Sequence, residues 1–197
     1  MAHPLDYLPL AAAAFGIPQY LPQIVKLRVT GDTAGVSWAW ATLTSLNNAA
    51  WLGYFVLFEY WTATVPSSAA MLLAGTVSVM LAIRGCLSAR AALVVAAWAA
   101  ALATAYGIGG RIGLGTLLTI ASFVQVAPSI WTAYRTPNPS GIARGTWLLI
   151  GGELSCWTIF GLHESDPRLL VLGVTGIAAS VAMLVRTQAW AVRNRSR

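Results

Sequence analysis

Long apolar segments separated by short polar connections run from one end of the chain to the other. A helix needs about 20 mostly apolar residues to cross the hydrocarbon core of a bilayer. The pattern predicts seven such helices, near residues 5–26, 36–58, 64–83, 90–107, 112–134, 143–163 and 167–187. The connections are too short to hold a soluble domain, so the expected fold class is all-α and transmembrane.

Two of the predicted helices carry copies of one motif. Gln-Tyr-Leu-Pro-Gln-Ile at 19–24 recurs 106 residues later as Gln-Val-Ala-Pro-Ser-Ile at 125–130. The same offset pairs Thr30 with Thr136, Gly35 with Gly141 and Trp51 with Trp157. Internal duplication of an apolar chain is typical of transporters that are built from two like halves with a site between them.

The duplication predicts the domain organisation. Residues 1–87 form a first three-helix repeat, 88–110 a linker helix, and 111–197 a second three-helix repeat with a basic tail. A single linker helix lets both repeats enter the membrane in the same orientation, so we expect parallel rather than inverted repeats.

Composition supports a membrane setting. The chain is 57% hydrophobic and 9% charged, whereas soluble domains carry about 25% charged residues. The net charge of +6 could indicate nucleic acid, but the basic residues flank apolar segments, so lipid is the expected partner. Cys86 and Cys156 give neither a disulfide framework nor a metal-ligand spacing. The N-terminus lacks the basic region and short apolar core of a cleaved signal peptide.

The basic residues predict the orientation in the membrane. Most of them fall in the connections after the first, third and fifth predicted helices and in the tail: Lys26, Arg28, Arg84, Arg90, Arg135, Arg144, Arg186, Arg193, Arg195 and Arg197. Because positive residues stay in the cytosol, the N-terminus is expected outside and the C-terminus inside. We expect a multi-pass protein of the plasma membrane.

Several short motifs support a family resemblance. They are Pro22-Gln23, its partner Pro128-Ser129, Trp-Leu-Gly-Tyr at 51–54 and Cys-Trp-Thr-Ile-Phe-Gly at 156–161. In these motifs the chain resembles the PQ-loop superfamily, which includes the SWEET sugar transporters and the lysosomal cystine transporter family. The resemblance implies a 3+1+3 helix layout and solute transport. The second motif reads Pro-Ser, and spans 64–83 and 167–187 lack the Asn that lines the SWEET sugar pocket, so sugar and amino acid both stay open as solutes.

Glu153 lies in the middle of the sixth predicted helix. A charged side chain there costs about 2.5–3.5 kcal/mol on translocon scales, so it needs a partner or a water-filled cavity. Loss of water favours the protonated form of a carboxyl. Glu153 is therefore the expected proton-coupling residue, and a protonated structural Glu that is bonded to a neighbouring helix is the alternative.

The repeat offset maps Glu153 onto Asn47, and each lies four residues before a Trp on the same helix face. We expect a midplane substrate site formed by Asn47, Trp51, Glu153 and Trp157. Amide and carboxyl groups bond hydroxyls or amines, while indole faces stack on sugar rings or attract cations. An interfacial aromatic belt is the alternative role for the two Trp residues.

Prolines interrupt the first and fifth predicted helices. Each removes a backbone hydrogen bond, which membrane helices tolerate where neighbours or water satisfy the freed carbonyl. The predicted hinge residues are Pro18, Pro22, Gln23 and Pro128. They would let each half rock between outward-open and inward-open states, whereas a static kink is the alternative.

These patterns favour a small-solute transporter that works by alternating access, with uniport or coupling to protons. A receptor or accessory subunit of the same fold is the alternative, because a fold does not fix a function. No nucleophile or cofactor motif indicates an enzyme, and no cofactor is expected. His3 and His163 have no second ligand at metal spacing, so no metal is expected. Assembly into a homo-oligomer is compatible with this class of protein.

Overall fold

The computed structural model of the protein describes residues 3–31, 33, 36–135 and 144–195. Throughout these ranges the chain is mostly helical and forms no strand, which confirms the all-α fold class. Three of the paired repeat positions, Gly35, Thr136 and Gly141, lie outside the described residues.

The α-helices are α1 (Leu8–Gly16), α2 (Leu21–Thr30), α3 (Trp38–Leu57), α4 (Thr64–Ile83), α5 (Ala89–Arg135), α6 (Arg144–His163) and α7 (Pro167–Arg195). Short 3-10 helices cover Pro4–Tyr7, Ile17–Gln19 and Trp61–Ala63. Among the described residues, three segments are long and apolar enough to cross a membrane: Trp61–Ile83, Ala89–Val124 and Pro167–Ala189. These segments indicate a membrane protein.

Helix α5 bends at Gly110, which has φ 55° and ψ −146°. Only glycine adopts this backbone conformation readily, so Gly110 separates the two helices that the sequence predicts on either side of it. The next residue, Arg111, is fixed against the end of α3. Its Nη1 donates to the carbonyl of Leu57 at 3.0 Å, and its guanidinium lies 4.4 Å from the ring centre of Phe58.

Helix boundaries recur at the offset found in the sequence. Helices α3 and α6 end at Leu57 and His163, 106 positions apart. The apolar segments that follow them begin at Trp61 and Pro167, which are again 106 positions apart.

The turns after α3 and α6 share an unusual backbone conformation. Among the described residues, Glu59 and Ser165 are the non-glycine residues with positive φ, at 63° and 53°. In each turn the following residue donates its N–H to a carbonyl five positions earlier, as in a Schellman motif. These bonds are Tyr60 to Phe55 (2.9 Å) and Asp166 to Gly161 (2.8 Å). Both bonds and both strained residues are again 106 positions apart.

Two arginine contacts have acceptors at the same offset, although the arginines themselves lie 102 positions apart. Arg84, at the end of α4, donates Nη2 to the carbonyl of Leu27 in α2 at 2.7 Å. Arg186, in α7, donates Nε to the carbonyl of Ala133 in α5 at 3.1 Å. The two acceptors are buried and lie 106 positions apart. In each compact unit an arginine therefore bonds a buried carbonyl near the end of another helix.

The chain forms two compact units. One comprises Gly16–Leu118, and its core includes Leu27, Ala41, Val77 and Leu81. The other comprises Met1–Phe15 with Thr119–Arg197, where α6 packs against α7. The first predicted helix thus contributes to both units, and it passes from one to the other just before the 3-10 turn at Ile17–Gln19. The repeat boundaries at residues 87 and 110 stay a prediction.

Candidate functional site

Asn47 is buried in α3, with 8% of its surface exposed. Its side-chain oxygen accepts a hydrogen bond of 2.6 Å from the indole Nε1 of Trp98 in α5. A buried amide oxygen needs such a donor, because leaving it unsatisfied costs free energy. The bond fixes the orientation of the Asn47 amide and connects α3 to the helix predicted as the linker.

Trp98→Phe should lower the stability of the Gly16–Leu118 unit by about 0.6–2 kcal/mol, the range measured for polar contacts between membrane helices. The Phe ring keeps most of the apolar contact but removes the donor to Asn47. Thermal unfolding in detergent measures the loss. Trp40→Phe is the matched control, since Trp40 is exposed. Equal midpoints of thermal unfolding for the two variants would contradict the prediction.

Trp51 belongs to an aromatic cluster on α3. Its ring stacks on Phe55 with centroids 5.6 Å apart and meets the edge of Tyr54 at 5.3 Å. Tyr54 and Phe55 are almost fully buried, whereas Trp51 keeps part of its surface exposed. The cluster holds the indole in place and leaves one part of it available for other contacts.

Glu153 is half-buried in α6 and follows Gly151 and Gly152. A Cβ on Gly152 would lie 2.9 Å from Cδ1 of Phe15, so the ring of Phe15 packs directly on the backbone beside Glu153. Trp157, one turn further along α6, is 6% exposed and meets Phe160 edge-on at 6.1 Å. Close packing is therefore found at two neighbours of Glu153 on α6, Gly152 and Trp157.

The four predicted substrate residues fall into two pairs. Asn47 and Trp51 lie one turn apart on α3, within the Gly16–Leu118 unit. Glu153 and Trp157 lie one turn apart on α6, within the other unit. Each pair offers one polar group and one indole from the same helix, and their joint use in one site stays a prediction.

The first predicted helix is interrupted near Pro18 and Pro22. Pro18 lies in the 3-10 helix Ile17–Gln19, and Pro22 occupies the first turn of α2. A 3-10 turn within a longer helix often marks a hinge. The side-chain nitrogen of Gln23 is buried and has no hydrogen-bond partner in the described part of the chain. Helix α5 continues through Pro128, whose side chain lies outside the described residues.

Comparison with models of known protein families gave no match, and neither did comparison with curated proteins. The functional conclusion therefore depends on the chemistry of this chain. Its apolar helices carry a bonded amide, a carboxyl and two indoles, in two pairs that the internal repeat relates. Such groups can hold a small polar solute or carry a proton.

Proposed function

We propose that the protein is a membrane transporter for a small polar solute, a sugar or an amino acid, that works by alternating access between two three-helix repeats. The observation that carries this proposal is the recurrence of helix ends and Schellman turns at an offset of 106 residues, which the carbonyl acceptors of two arginine contacts share. Transporters commonly consist of such repeats, which rock against each other around a midplane site.

The proposed arrangement has seven membrane helices in a 3+1+3 layout with parallel repeats. The motifs at Pro22-Gln23 and Pro128-Ser129 support it through their resemblance to the PQ-loop superfamily and its SWEET-like members. The basic residues support an N-terminus outside and a C-terminus in the cytosol of the plasma membrane. The 3-10 break at Pro18 supports a hinge in the first helix.

Asn47, Trp51, Glu153 and Trp157 are the proposed substrate residues. Polar side chains inside membrane segments are costly and usually serve a solute or ion path. An amide, a carboxyl and two indoles suit a sugar ring as well as the ammonium group of an amino acid. Glu153 is also the group that can exchange a proton with the solute pathway.

Uptake into sealed proteoliposomes tests the proposal. A panel of labelled sugars and amino acids would be offered to the full chain, with and without an inward proton gradient. We expect saturable flux of one solute class that protein-free liposomes lack. Saturable binding without flux would contradict the transporter and favour a receptor or accessory subunit of the same fold.

A further inference from the structure

The two histidines of the chain meet at one place in the fold. The rings of His3 and His163 stack with centroids 4.8 Å apart and planes inclined by 24°. Asp6 joins them: its Oδ1 lies 2.8 Å from Nε2 of His163, and its Oδ2 accepts the backbone N–H of His3 at 2.6 Å. One ligand atom from each residue lies within 4.8 Å of the other two.

Local backbone structure holds these three side chains. His3 caps the 3-10 helix Pro4–Tyr7 and forms a reciprocal capping box with Asp6. In this box Nδ1 of His3 accepts the N–H of Leu5 at 3.3 Å, which leaves Nε2 as the ring nitrogen for a cation. His163 is the last residue of α6, just before the Schellman turn at Ser165. Both segments belong to the same compact unit.

The electrostatics of the cluster suit a cation. Both carboxyl oxygens of Asp6 face the histidines, Oδ1 toward Nε2 of His163 and Oδ2 toward the backbone N–H of His3. Glu164 adds a second acid, with Oε1 3.9 Å from Nε2 of His163. The side chains of Asp6 and His163 are partly exposed, so an ion from solvent can reach them.

We propose that His3, Asp6 and His163 bind a divalent first-row transition metal ion, with Zn²⁺ as the best match. Two imidazole nitrogens and one carboxylate oxygen are typical zinc ligands, and water completes a four-coordinate site. Magnesium and calcium prefer oxygen ligands throughout. His163 ends the helix that also carries Glu153, but the site shares no residue with the proposed substrate site, so it does not depend on the proposed function.

Binding requires only a small rearrangement. Ligand atoms around tetrahedral zinc are about 3.3 Å apart, given metal–nitrogen distances of about 2.0–2.1 Å. The hydrogen bond between Asp6 and His163 would open slightly as the ion replaces its proton, and the ring of His3 would move closer. The ion would then tie the segment before α1 to the end of α6, in place of the hydrogen bond that joins them now.

A zinc titration tests the site. The full chain, purified in detergent without a polyhistidine tag and stripped with a chelator, would compete for Zn²⁺ with a chromophoric indicator. We expect one ion per chain and a rise in the unfolding temperature with zinc concentration. His163→Gln and His3→Gln should each weaken zinc binding by more than about tenfold. Loss of a residue that only supports a metal ligand already costs about tenfold, so loss of a ligand itself should cost more.

Matched controls make the result specific. Glu59→Gln alters an acid outside the cluster, and replacement of both Cys86 and Cys156 by Ser removes the thiols as ligands. Both controls should bind zinc as the unaltered chain does. X-ray absorption of the loaded protein should show nitrogen and oxygen neighbours at about 2.0–2.1 Å and no sulfur. The proposal would be overturned if both histidine variants bound zinc as tightly as the unaltered chain does. It would also be overturned if the unaltered chain did not bind zinc.

Discussion

Gly173→Ala should destabilise the packing of α6 against α7 by about 1–3 kcal/mol or more, the usual cost of overfilling a packed interior. A Cβ at Gly173 would lie 2.7 Å from the backbone nitrogen of Thr158 and 2.8 Å from the carbonyl oxygen of Leu154. Backbone atoms cannot rotate away as side chains can, so the two helices would have to separate. Small residues permit this kind of close approach between membrane helices.

Thermal or denaturant unfolding in detergent measures this effect. Gly53→Ala and Gly145→Ala are matched controls, because each glycine lies in an α-helix and a Cβ there would meet nothing within 4 Å. Alanine favours helices over glycine by about 0.8–1.0 kcal/mol, so the controls should be neutral or slightly more stable. If Gly173→Ala had the same unfolding midpoint as the controls, α6 and α7 would not be in close contact at Gly173.

Much of the helical pattern could be predicted from the sequence. Segments predicted at 36–58 and 64–83 correspond to α3 and α4 within two residues, and the segment predicted at 143–163 ends with α6 at His163; its start lies outside the described residues. Long apolar segments with abrupt polar ends mark the ends of such helices well.

The prediction is less accurate where helix and apolar segment differ in length. Helix α7 continues to Arg195, beyond the predicted end at residue 187. Its last turns are rich in Arg, Gln and Ala, which are good helix formers in water, so hydropathy alone does not mark their end. The first helix was predicted as one span, but Pro18 and Pro22 divide it into α1, a 3-10 turn and α2.

The candidate site shows the same limit. The sequence identifies Asn47 and Glu153 as polar residues in apolar helices, because that property is local. It does not identify Trp98 as the donor to Asn47, since 51 residues separate them. The cluster of His3, Asp6 and His163 is hidden for the same reason: Asp6 and His163 lie 157 positions apart, so the sequence shows no second ligand beside either histidine. Only the fold brings such residues together.

Glu153→Gln should abolish proton-driven accumulation of the solute while leaving the protein folded. If one proton moves with each solute molecule, a gradient of one pH unit sustains about tenfold accumulation, since one unit corresponds to about 1.4 kcal/mol. Gln keeps the size and hydrogen-bonding capacity of the side chain but cannot exchange a proton. The accumulation ratio of the variant should therefore fall to about one, whatever the gradient.

The measurement is the ratio of solute inside to outside proteoliposomes at imposed pH gradients, with exchange of solute between the two sides at equal pH as a second readout. Glu59→Gln makes the same chemical change in the turn after α3 and should accumulate solute as the unaltered chain does. Glu153→Gln should retain exchange, because its site can still bind solute while the coupling proton is lost. A variant that still accumulates solute tenfold across one pH unit would show that Glu153 is a structural residue, bonded within its own packed surroundings.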